Sequence, residues 1–203
     1  MEQHRTERRL AAILAADMVG FSRLTRLDEE GTLARLRALR RDLIDPAISE
    51  HRGRLVKTIG DGLLVEFASV VDAVRCALRI QQGMAILNTD MRGERRIEFR
   101  IGINLGDVVV DGDDLLGDGV NIAARLERLA EPGAICISED AWRQIRTKIE
   151  VAAQDLGEQR LKNISEPVRV YAVRAPAPTA PRVTSDPSVK AKRPQLSFGI
   201  RLS

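Results

Sequence analysis

The sequence predicts an α+β fold built on a ferredoxin-like core, and three observations lead to this class. A short apolar run that ends in a carboxylate predicts a strand, and apolar residues spaced three and four apart then predict a helix. Two short apolar segments around a Gly-Asp-Gly turn predict a hairpin, which a second helix and a long strand follow. The order strand, helix, hairpin, helix, strand is that of a ferredoxin-like core. The 203 residues are 44% hydrophobic, enough for one substantial core.

The first predicted strand is the apolar run of residues 10–16, which stops at Asp17 and leads into a turn containing Gly20. The Asp17 carboxylate is expected where the sheet opens to solvent, beside the backbone N–H groups of the turn. A carboxylate next to a ring of N–H donors suits a metal–polyphosphate site, because the metal binds the carboxylate and the amides bind phosphates. Taken alone, an aspartate before a glycine turn is more often an ordinary strand end.

The next elements are an amphipathic helix over residues 28–51, which Pro46 kinks or restarts, and a hairpin. The hairpin strands are Arg54–Ile59 and Leu63–Phe67, joined at Gly60-Asp61-Gly62. In a ferredoxin-like core this hairpin lies beside the first strand, so we expect Asp61 to approach Asp17. Two such carboxylates can hold two divalent cations that activate an attacking oxygen and neutralise phosphate charge. An ordinary glycine turn is the alternative.

The remaining elements are assigned from apolar runs and helix-capping residues. Ser69 or Asp72 can cap the following helix. A long strand then covers residues 97–110, and an acidic, glycine-rich loop covers residues 111–119. The C-terminal elements are a helix over residues 120–130, a strand over 134–138, a short helix over 139–146 and strands near 149–156 and 168–173.

Asn121 and Arg125 lie four positions apart near the start of a predicted helix and therefore share one of its faces. An amide beside a guanidinium can orient a hydroxyl group and neutralise a phosphate. A solvated helix face is the alternative explanation for this pair.

Composition narrows the choice of partners and compartment. Aromatic residues are only 3% of the chain, and the formal net charge is +3 with basic and acidic residues interleaved, so no nucleic-acid partner is predicted. Cys76 and Cys136 lie in apolar stretches and are interpreted as buried, reduced thiols of a cytoplasmic protein. The N-terminal run is too short for a secretory signal, and no membrane segment is predicted.

Residues 175–203 differ from the rest of the chain and are predicted to form a disordered, basic tail or a linker. Five of the chain's eight prolines fall here, with serine, threonine and basic residues. Solubility or tethering is the favoured role, and contact with a regulatory partner is the alternative.

Three segments together resemble the class III nucleotidyl cyclase catalytic domain. They begin at Asp17, Lys57 and Gly117 and read DMVGFS, KTIGD and GDGVNIAAR, in that order along the chain. The resemblance covers residues 8–174 and implies a ferredoxin-like core with the C-terminal additions of this family.

The resemblance also assigns roles to individual positions. It implies that Asp17, Asp61 and the carbonyl of Met18 bind two Mg²⁺ or Mn²⁺ ions per active site. It implies that the turn of Val19, Gly20, Phe21 and Ser22 holds the triphosphate. The remaining implied roles are purine recognition by Lys57 and Asp114, ribose and transition-state contacts by Asn121 and Arg125, and phosphate binding by Lys162, for which a structural role is an equal alternative.

A lysine and an aspartate complement adenine, which offers an acceptor at N1 and a donor at N6, so the sequence favours ATP over GTP. The resemblance implies a soluble homodimer that forms 3′,5′-cyclic AMP and pyrophosphate at sites shared between two chains. A catalytically silent nucleotide-binding module of the same fold is the main alternative. The sequence contains no groove-reading motif that would support a DNA- or membrane-tethered adaptor. It also lacks the Gly-Gly-Asp-Glu-Phe stretch of a diguanylate cyclase.

Overall fold

The computed structural model describes residues 7–89, 91, 93 and 96–174, so the prediction for the tail of residues 175–203 lies outside the described residues. The strands are β1 (Glu7–Met18), β2 (Arg54–Ile59), β3 (Gly62–Phe67), β4 (Phe99–Asp111), β5 (Asp114–Leu116), β6 (Ile135–Ser138), β7 (Ala152–Gln159) and β8 (Val168–Arg174). The α-helices are α1 (Phe21–Leu27), α2 (Glu29–Leu39), α3 (Asp45–Glu50), α4 (Val70–Leu87), α5 (Asp118–Leu129) and α6 (Glu139–Ile145).

The described strands form a single sheet in the order β2-β3-β1-β4-β6-β8-β7, and β5 pairs with β4. The first four strands of this order have the arrangement of a ferredoxin-like core, which confirms the predicted fold class. Strand β1 is central. It pairs antiparallel with β3 over Ala12–Ala16 and with β4 along its whole length. The β2–β3 hairpin therefore lies beside β1, as the sequence predicted.

Side-chain alternation along β1 divides the core into two layers. Ala12, Leu14 and Ala16 pack into the larger core with α3, α4 and α6. Ile13 and Ala15 face the opposite layer, which contains Ala123 of α5. By the same alternation Asp17 lies on the α5 face of the sheet.

Helix α5 lies unusually close to β4. A Cβ atom built on Gly102 would approach the carbonyl oxygen of Ala123 and the amide nitrogen of Glu127 to 2.2 Å each. No side chain larger than hydrogen fits between these two backbones. This contact sets the distance between α5 and β4, the strand that pairs with β1.

The helix predicted over residues 28–51 is largely confirmed, since residues 29–50 are helical without a break, and the structure adds a π-helical turn. The segment consists of α2, a π-helical turn at Arg40–Ile44 and α3, with Pro46 in the first turn of α3. A proline restarts a helix there because its missing N–H group would have no intrahelical partner. Helix α1, which begins directly after the glycine turn, was not predicted.

Two further local predictions were wrong. Neither predicted residue caps α4 through its side chain: Ser69 makes no such hydrogen bond, and the Asp72 carboxylate accepts a hydrogen bond from Arg52 at 2.9 Å. The loop over residues 111–119 contains the short strand β5, which pairs with the end of β4 around a turn with Gly112 at φ 58°.

Both cysteines are buried and form no disulfide bond. No helix among the described residues is long and apolar enough to cross a membrane.

Candidate active site

Asp17 and Asp61 come together at the end of β1. Asp61 occupies the two-residue β2–β3 turn, in which Gly60 has φ 62°, a left-handed conformation that glycine adopts without strain. The Asp61 carboxylate accepts a hydrogen bond from the Met18 amide at 3.1 Å. A Cβ atom built on the next residue, Gly62, would lie 3.6 Å from an Asp17 carboxylate oxygen. The hairpin therefore brings the two carboxylates to one site.

The proximity of the two carboxylates changes their electrostatics. Partial burial, followed by the negative charge of Asp17, raises the pKa of Asp61 above its ordinary value. A cation bound between the two carboxylates would relieve this repulsion.

Arg100 and Glu127 extend the carboxylate cluster toward α5. Arg100 lies directly opposite Asp17 in the β1–β4 ladder, and its guanidinium is 2.9 Å from the Asp17 carboxylate. The same guanidinium is 3.2 Å from a carboxylate oxygen of Glu127 on α5. Burial raises the pKa of Glu127, which the positive charge of Arg100 partly offsets. One arginine thus bridges a candidate metal ligand and a buried carboxyl group.

The turn after Asp17 leads directly into α1. Gly20 is the residue before the helix, with φ 70°, and no side chain caps the helix start. The first N–H groups of a helix have no intrahelical partner. The predicted phosphate-binding residues Val19 to Ser22 therefore form a turn that begins a helix next to the two carboxylates. The prediction for the Val19 amide was wrong, because this amide donates a hydrogen bond to the Glu98 carbonyl at 2.8 Å.

Lys57 and Asp114 meet where β2 approaches β5. The Lys57 ammonium is 2.7 Å from the Asp114 carboxylate. This hydrogen bond, together with one from the Leu115 amide, holds the pKa of Asp114 below its ordinary value. The neighbouring Asp113 contributes only its backbone carbonyl, which accepts a hydrogen bond from Arg54 at 3.1 Å. The structure therefore pairs the two predicted purine-recognition residues with each other.

Asn121 and Arg125 lie on α5, which starts after Gly117 at φ 110°. The Asn121 side chain is exposed and that of Arg125 is half-buried. The Arg125 guanidinium donates a hydrogen bond to the backbone carbonyl of Lys162 at 3.2 Å. Lys162 itself is an exposed residue. The structure therefore brings Lys162 next to Arg125.

Within one chain the candidate residues form separate groups. No hydrogen bond or ion pair among the described residues joins the Asp17–Asp61 group to the Lys57–Asp114 pair or to Asn121. Sequence reasoning missed Arg100 and Glu127. A signal existed for Arg100, which is the single charged residue between Phe99 and Leu105 of β4.

The Asp17–Asp61 pair fits a magnesium or manganese site completed by substrate. The described residues contain no group of three or more histidine, cysteine, aspartate or glutamate side chains that could hold a metal ion by themselves. Mg²⁺ is commonly bound by one or two carboxylates and completes its octahedron with water and substrate phosphates. Two adjacent carboxylates, one with a raised pKa, match that donor set.

Comparison with known proteins identifies the family. The family model for the adenylate and guanylate cyclase catalytic domain matches residues 4–175. A protein named "Putative adenylate cyclase 3" from Rhizobium meliloti is 46% identical over 171 residues, which are 84% of this chain and 29% of that protein. The chain therefore belongs to the adenylate and guanylate cyclase catalytic domain family. The resemblance stated from the three sequence segments is confirmed.

Solved structures agree with this assignment. The adenylate/guanylate cyclase/hydrolase from Silicibacter pomeroyi is 49% identical with a TM-score of 0.77, and the match covers 83% of this chain and 98% of that one. The adenylyl cyclase CyaB from P. aeruginosa is 26% identical with a TM-score of 0.74, over 83% of this chain and 95% of that one. The chain spans less than half the length of the curated relatives it matches.

Proposed function

We propose that this domain is an adenylate cyclase, which converts ATP to 3′,5′-cyclic AMP and pyrophosphate. The observation that carries the choice of ATP is the contact between Lys57 and Asp114, 2.7 Å apart. An ammonium donor and a carboxylate acceptor held together complement N1 and the N6 amine of adenine. Guanine offers a carbonyl acceptor and an N–H donor at these edges, so the same pair fits it less well.

The proposed reaction is intramolecular. A bond forms between the ribose 3′ oxygen and the α-phosphorus, while the bond from that phosphorus to the bridging oxygen breaks. The 3′ proton leaves to solvent, and pyrophosphate takes the bonding electron pair. Asn121 orients the ribose, and Arg125 neutralises the charge that develops on the α-phosphate. Each acts by position and charge, without a covalent intermediate.

Asp17, Asp61 and the Met18 carbonyl are the residues that would hold two Mg²⁺ or Mn²⁺ ions. When bound, such ions supply Lewis-acid activation of the attacking oxygen and neutralise the phosphates. The amides of Gly20, Phe21 and Ser22 bind the β- and γ-phosphates, for which the uncapped start of α1 supplies donors. We assign Lys162 to the same phosphates because its backbone lies next to Arg125.

We infer a homodimer in which the metal-binding group of one chain faces the base-binding group of its partner. The separation of these two groups within a chain supports this arrangement, because neither group forms a complete site alone. A two-fold dimer would then contain two equivalent sites.

The proposed function is tested by incubating the purified protein with ATP or with GTP in the presence of Mn²⁺. We expect cyclic AMP from ATP, at a specific rate that rises with protein concentration as dimers form, and little cyclic GMP. Asp17→Ala and Asp61→Ala should abolish product formation without unfolding the domain.

Asp114→Asn and Asp113→Asn form a matched pair for this assay. The first removes the carboxylate that Lys57 contacts and should reduce turnover of ATP, whereas the second changes an exposed neighbour and should leave it intact. If ATP binds but no cyclic AMP appears at any protein concentration, the domain is a silent nucleotide-binding module and the enzyme proposal is wrong.

A further inference from the structure

Glu66 of β3 is a buried carboxylate held between two arginines. Its side chain is 9% exposed, and one of its oxygens lies 2.7 Å from the Arg9 guanidinium. Its other oxygen accepts a hydrogen bond from Arg54 at 2.9 Å. A buried charge costs free energy unless it is paired and hydrogen-bonded, and both oxygens of Glu66 meet this condition. The carboxylate therefore gives Arg54 a fixed anchor on β3.

All three guanidinium nitrogens of Arg54 have partners. Nε and one terminal nitrogen each lie 2.9 Å from the same oxygen of Glu66. The other terminal nitrogen donates a hydrogen bond to the backbone carbonyl of Asp113 at 3.1 Å. This carbonyl belongs to the turn between β4 and β5, one residue before Asp114. Because the guanidinium is a planar, rigid fork, one side chain joins the buried carboxylate to the turn.

A β-bulge in β2 places Arg54 and Lys57 on the same face of the sheet. In the β2–β3 ladder Arg54 pairs with Glu66, and Lys57 pairs with Leu64, so Val56 is the extra residue. Glu66 and Leu64 are two positions apart and share a face of β3. Their partners on β2 are three positions apart and share that face as well, which regular alternation would not allow. The bulge therefore directs both basic side chains to the β4–β5 turn.

Strand β5 depends on contacts beyond its own ladder. It is three residues long and, among the described strands, pairs with β4 alone. Leu115 is buried in the core, whereas Asp114 at the start of the strand is partly exposed. Among the described residues two polar contacts join the turn to β2, and one of them is the Lys57–Asp114 pair. If adenine replaces that pair, the hydrogen bond from Arg54 is left to hold the turn against β2.

We propose that Arg54 is a positioning residue for base selection. Anchored by Glu66, it holds the β4–β5 turn so that Asp114 keeps the separation from Lys57 that adenine needs when the base enters. Arg54 does not touch the base. Without it the turn moves away from β2, and the carboxylate no longer meets the N6 amine. This inference rests on the proposed recognition of adenine by Lys57 and Asp114.

The test measures the binding of 3′-deoxy-ATP and 3′-deoxy-GTP in the presence of Mn²⁺ by isothermal titration calorimetry. These analogues lack the attacking hydroxyl group, so binding is measured without turnover. Arg54→Lys keeps the positive charge beside Glu66, but an ammonium cannot form both contacts of the fork. We expect the dissociation constant of 3′-deoxy-ATP to rise about tenfold, since one charge-assisted hydrogen bond is lost, while that of 3′-deoxy-GTP stays unchanged.

Arg9→Lys is the matched control. Arg9 contacts the other oxygen of Glu66 and is equally exposed, and no hydrogen bond or ion pair among the described residues joins it to the β4–β5 turn. Both variants should lose a similar amount of thermal stability, but only Arg54→Lys should weaken the binding of 3′-deoxy-ATP. An equal loss of affinity in both variants would overturn the proposal, because the pairing of Glu66 would then support the fold alone.

Repeating Arg54→Lys in an Asp114→Asn background tests whether Arg54 acts through this carboxylate. Its effect on the affinity for 3′-deoxy-ATP should then largely disappear. The same weakening in both backgrounds would overturn the proposal, since Arg54 would act on the nucleotide by another route.

Steady-state rates with ATP provide a second readout. A base contact that is equal in the bound state and in the transition state affects KM and leaves kcat unchanged. Arg54→Lys and Glu66→Gln should therefore raise KM for ATP and preserve kcat. A lower kcat with an unchanged KM would indicate a smaller fraction of folded enzyme and would contradict the positioning role.

The proposed function can fail separately from this inference. If the natural protein prefers 3′-deoxy-ATP but forms no cyclic AMP from ATP, the enzyme proposal is wrong, and analogue binding still decides the role of Arg54. If it binds both analogues equally, base recognition by Lys57 and Asp114 is wrong, and this inference fails with it. If it prefers 3′-deoxy-ATP and Arg54→Lys keeps the full preference, only the role of Arg54 is wrong.

Discussion

At the scale of single residues, the proposed selection of ATP depends on Lys57 and Asp114, two side chains from different strands that already contact each other. Their ion pair is partly exposed and therefore contributes little free energy. A ligand that offers both a hydrogen-bond donor and an acceptor can replace it at small energetic cost. Adenine has both, an acceptor at N1 and a donor at the N6 amine. The Lys57–Asp114 pair is then exchanged for two base contacts without leaving a charge unsatisfied.

This view predicts the effect of changing both side chains. Lys57→Glu combined with Asp114→Cys replaces the donor with an acceptor and removes the carboxylate acceptor. We expect selectivity for ATP over GTP, measured as the ratio of kcat/KM values, to fall about a hundredfold, because two charge-assisted hydrogen bonds change. Lys148→Glu with Asp113→Cys makes the same exchanges at exposed positions and should preserve the ratio. An unchanged ratio in the first variant would exclude this pair from base recognition.

The two cysteines lead to a prediction about reactivity. Burial raises the pKa of Cys76 to about 12 and that of Cys136 to about 11. Since the thiolate is the nucleophile, native protein should resist iodoacetamide in mildly alkaline buffer, while denatured protein reacts at both positions. The folded state binds these protons more tightly than the unfolded chain, so the thiols stabilise the fold below pH 9.0 and lose that contribution as pH rises toward the folded values.

Mass spectrometry after timed alkylation checks this prediction, with protein in denaturant as the control. Rapid modification of either thiol in the native protein would show that it is accessible as a thiolate.

The candidate residues differ in how far sequence could predict them. The Asp61 turn and the Asn121–Arg125 spacing are local patterns, so both could be read along the chain. The Arg100–Glu127 contact requires the register of β1 against β4 and the face on which α5 packs. Neither is encoded locally, because tertiary packing determines both.

At the scale of elements, the same distinction holds. The β2–β3 hairpin was predicted because glycines flank Asp61 and apolar runs flank the turn. The extent of the helix over residues 28–51 was predicted, but its π-helical turn was not, because an apolar stripe alone does not show where such a turn shifts the helical register. Strand β5 is only three residues long, which is too short for alternation to be recognised.

The contact between β4 and α5 predicts a strong effect of one methyl group. Gly102→Ala places a Cβ atom 2.2 Å from two backbone atoms of α5, and backbone cannot move aside as a flexible side chain can. We expect a loss of about 3 kcal/mol in the free energy of unfolding, measured by urea denaturation. Gly93→Ala is the control, since nothing lies within 4 Å of its Cβ position, and its midpoint should match that of the natural protein. Equal midpoints for both variants would show that α5 does not rest on β4 at Gly102.

At the scale of the whole molecule, the proposed homodimer would make activity a property of a pair of chains, because the two residue groups lie apart within a single chain. Asp61→Ala disables the metal-binding group of a chain and leaves its base-binding side intact, and Asn121→Ala does the reverse. Each variant alone forms homodimers in which both sites lack an essential residue. A mixed dimer has one site that lacks both residues and one site that is complete.

Mixing the two inactive variants should therefore restore cyclic AMP formation. With random exchange, half of the dimers are mixed and each has one working site of two, so about a quarter of the natural activity is expected at equal amounts. Mixing Asp61→Ala with Asp17→Ala is the matched control. Both changes fall in the same group, so no combination of these chains yields a complete site and no activity should return. Absence of activity in the first mixture, under conditions where chains exchange, would place a complete site within a single chain. Restoration in the control would show that Asp17 and Asp61 of one site come from different chains.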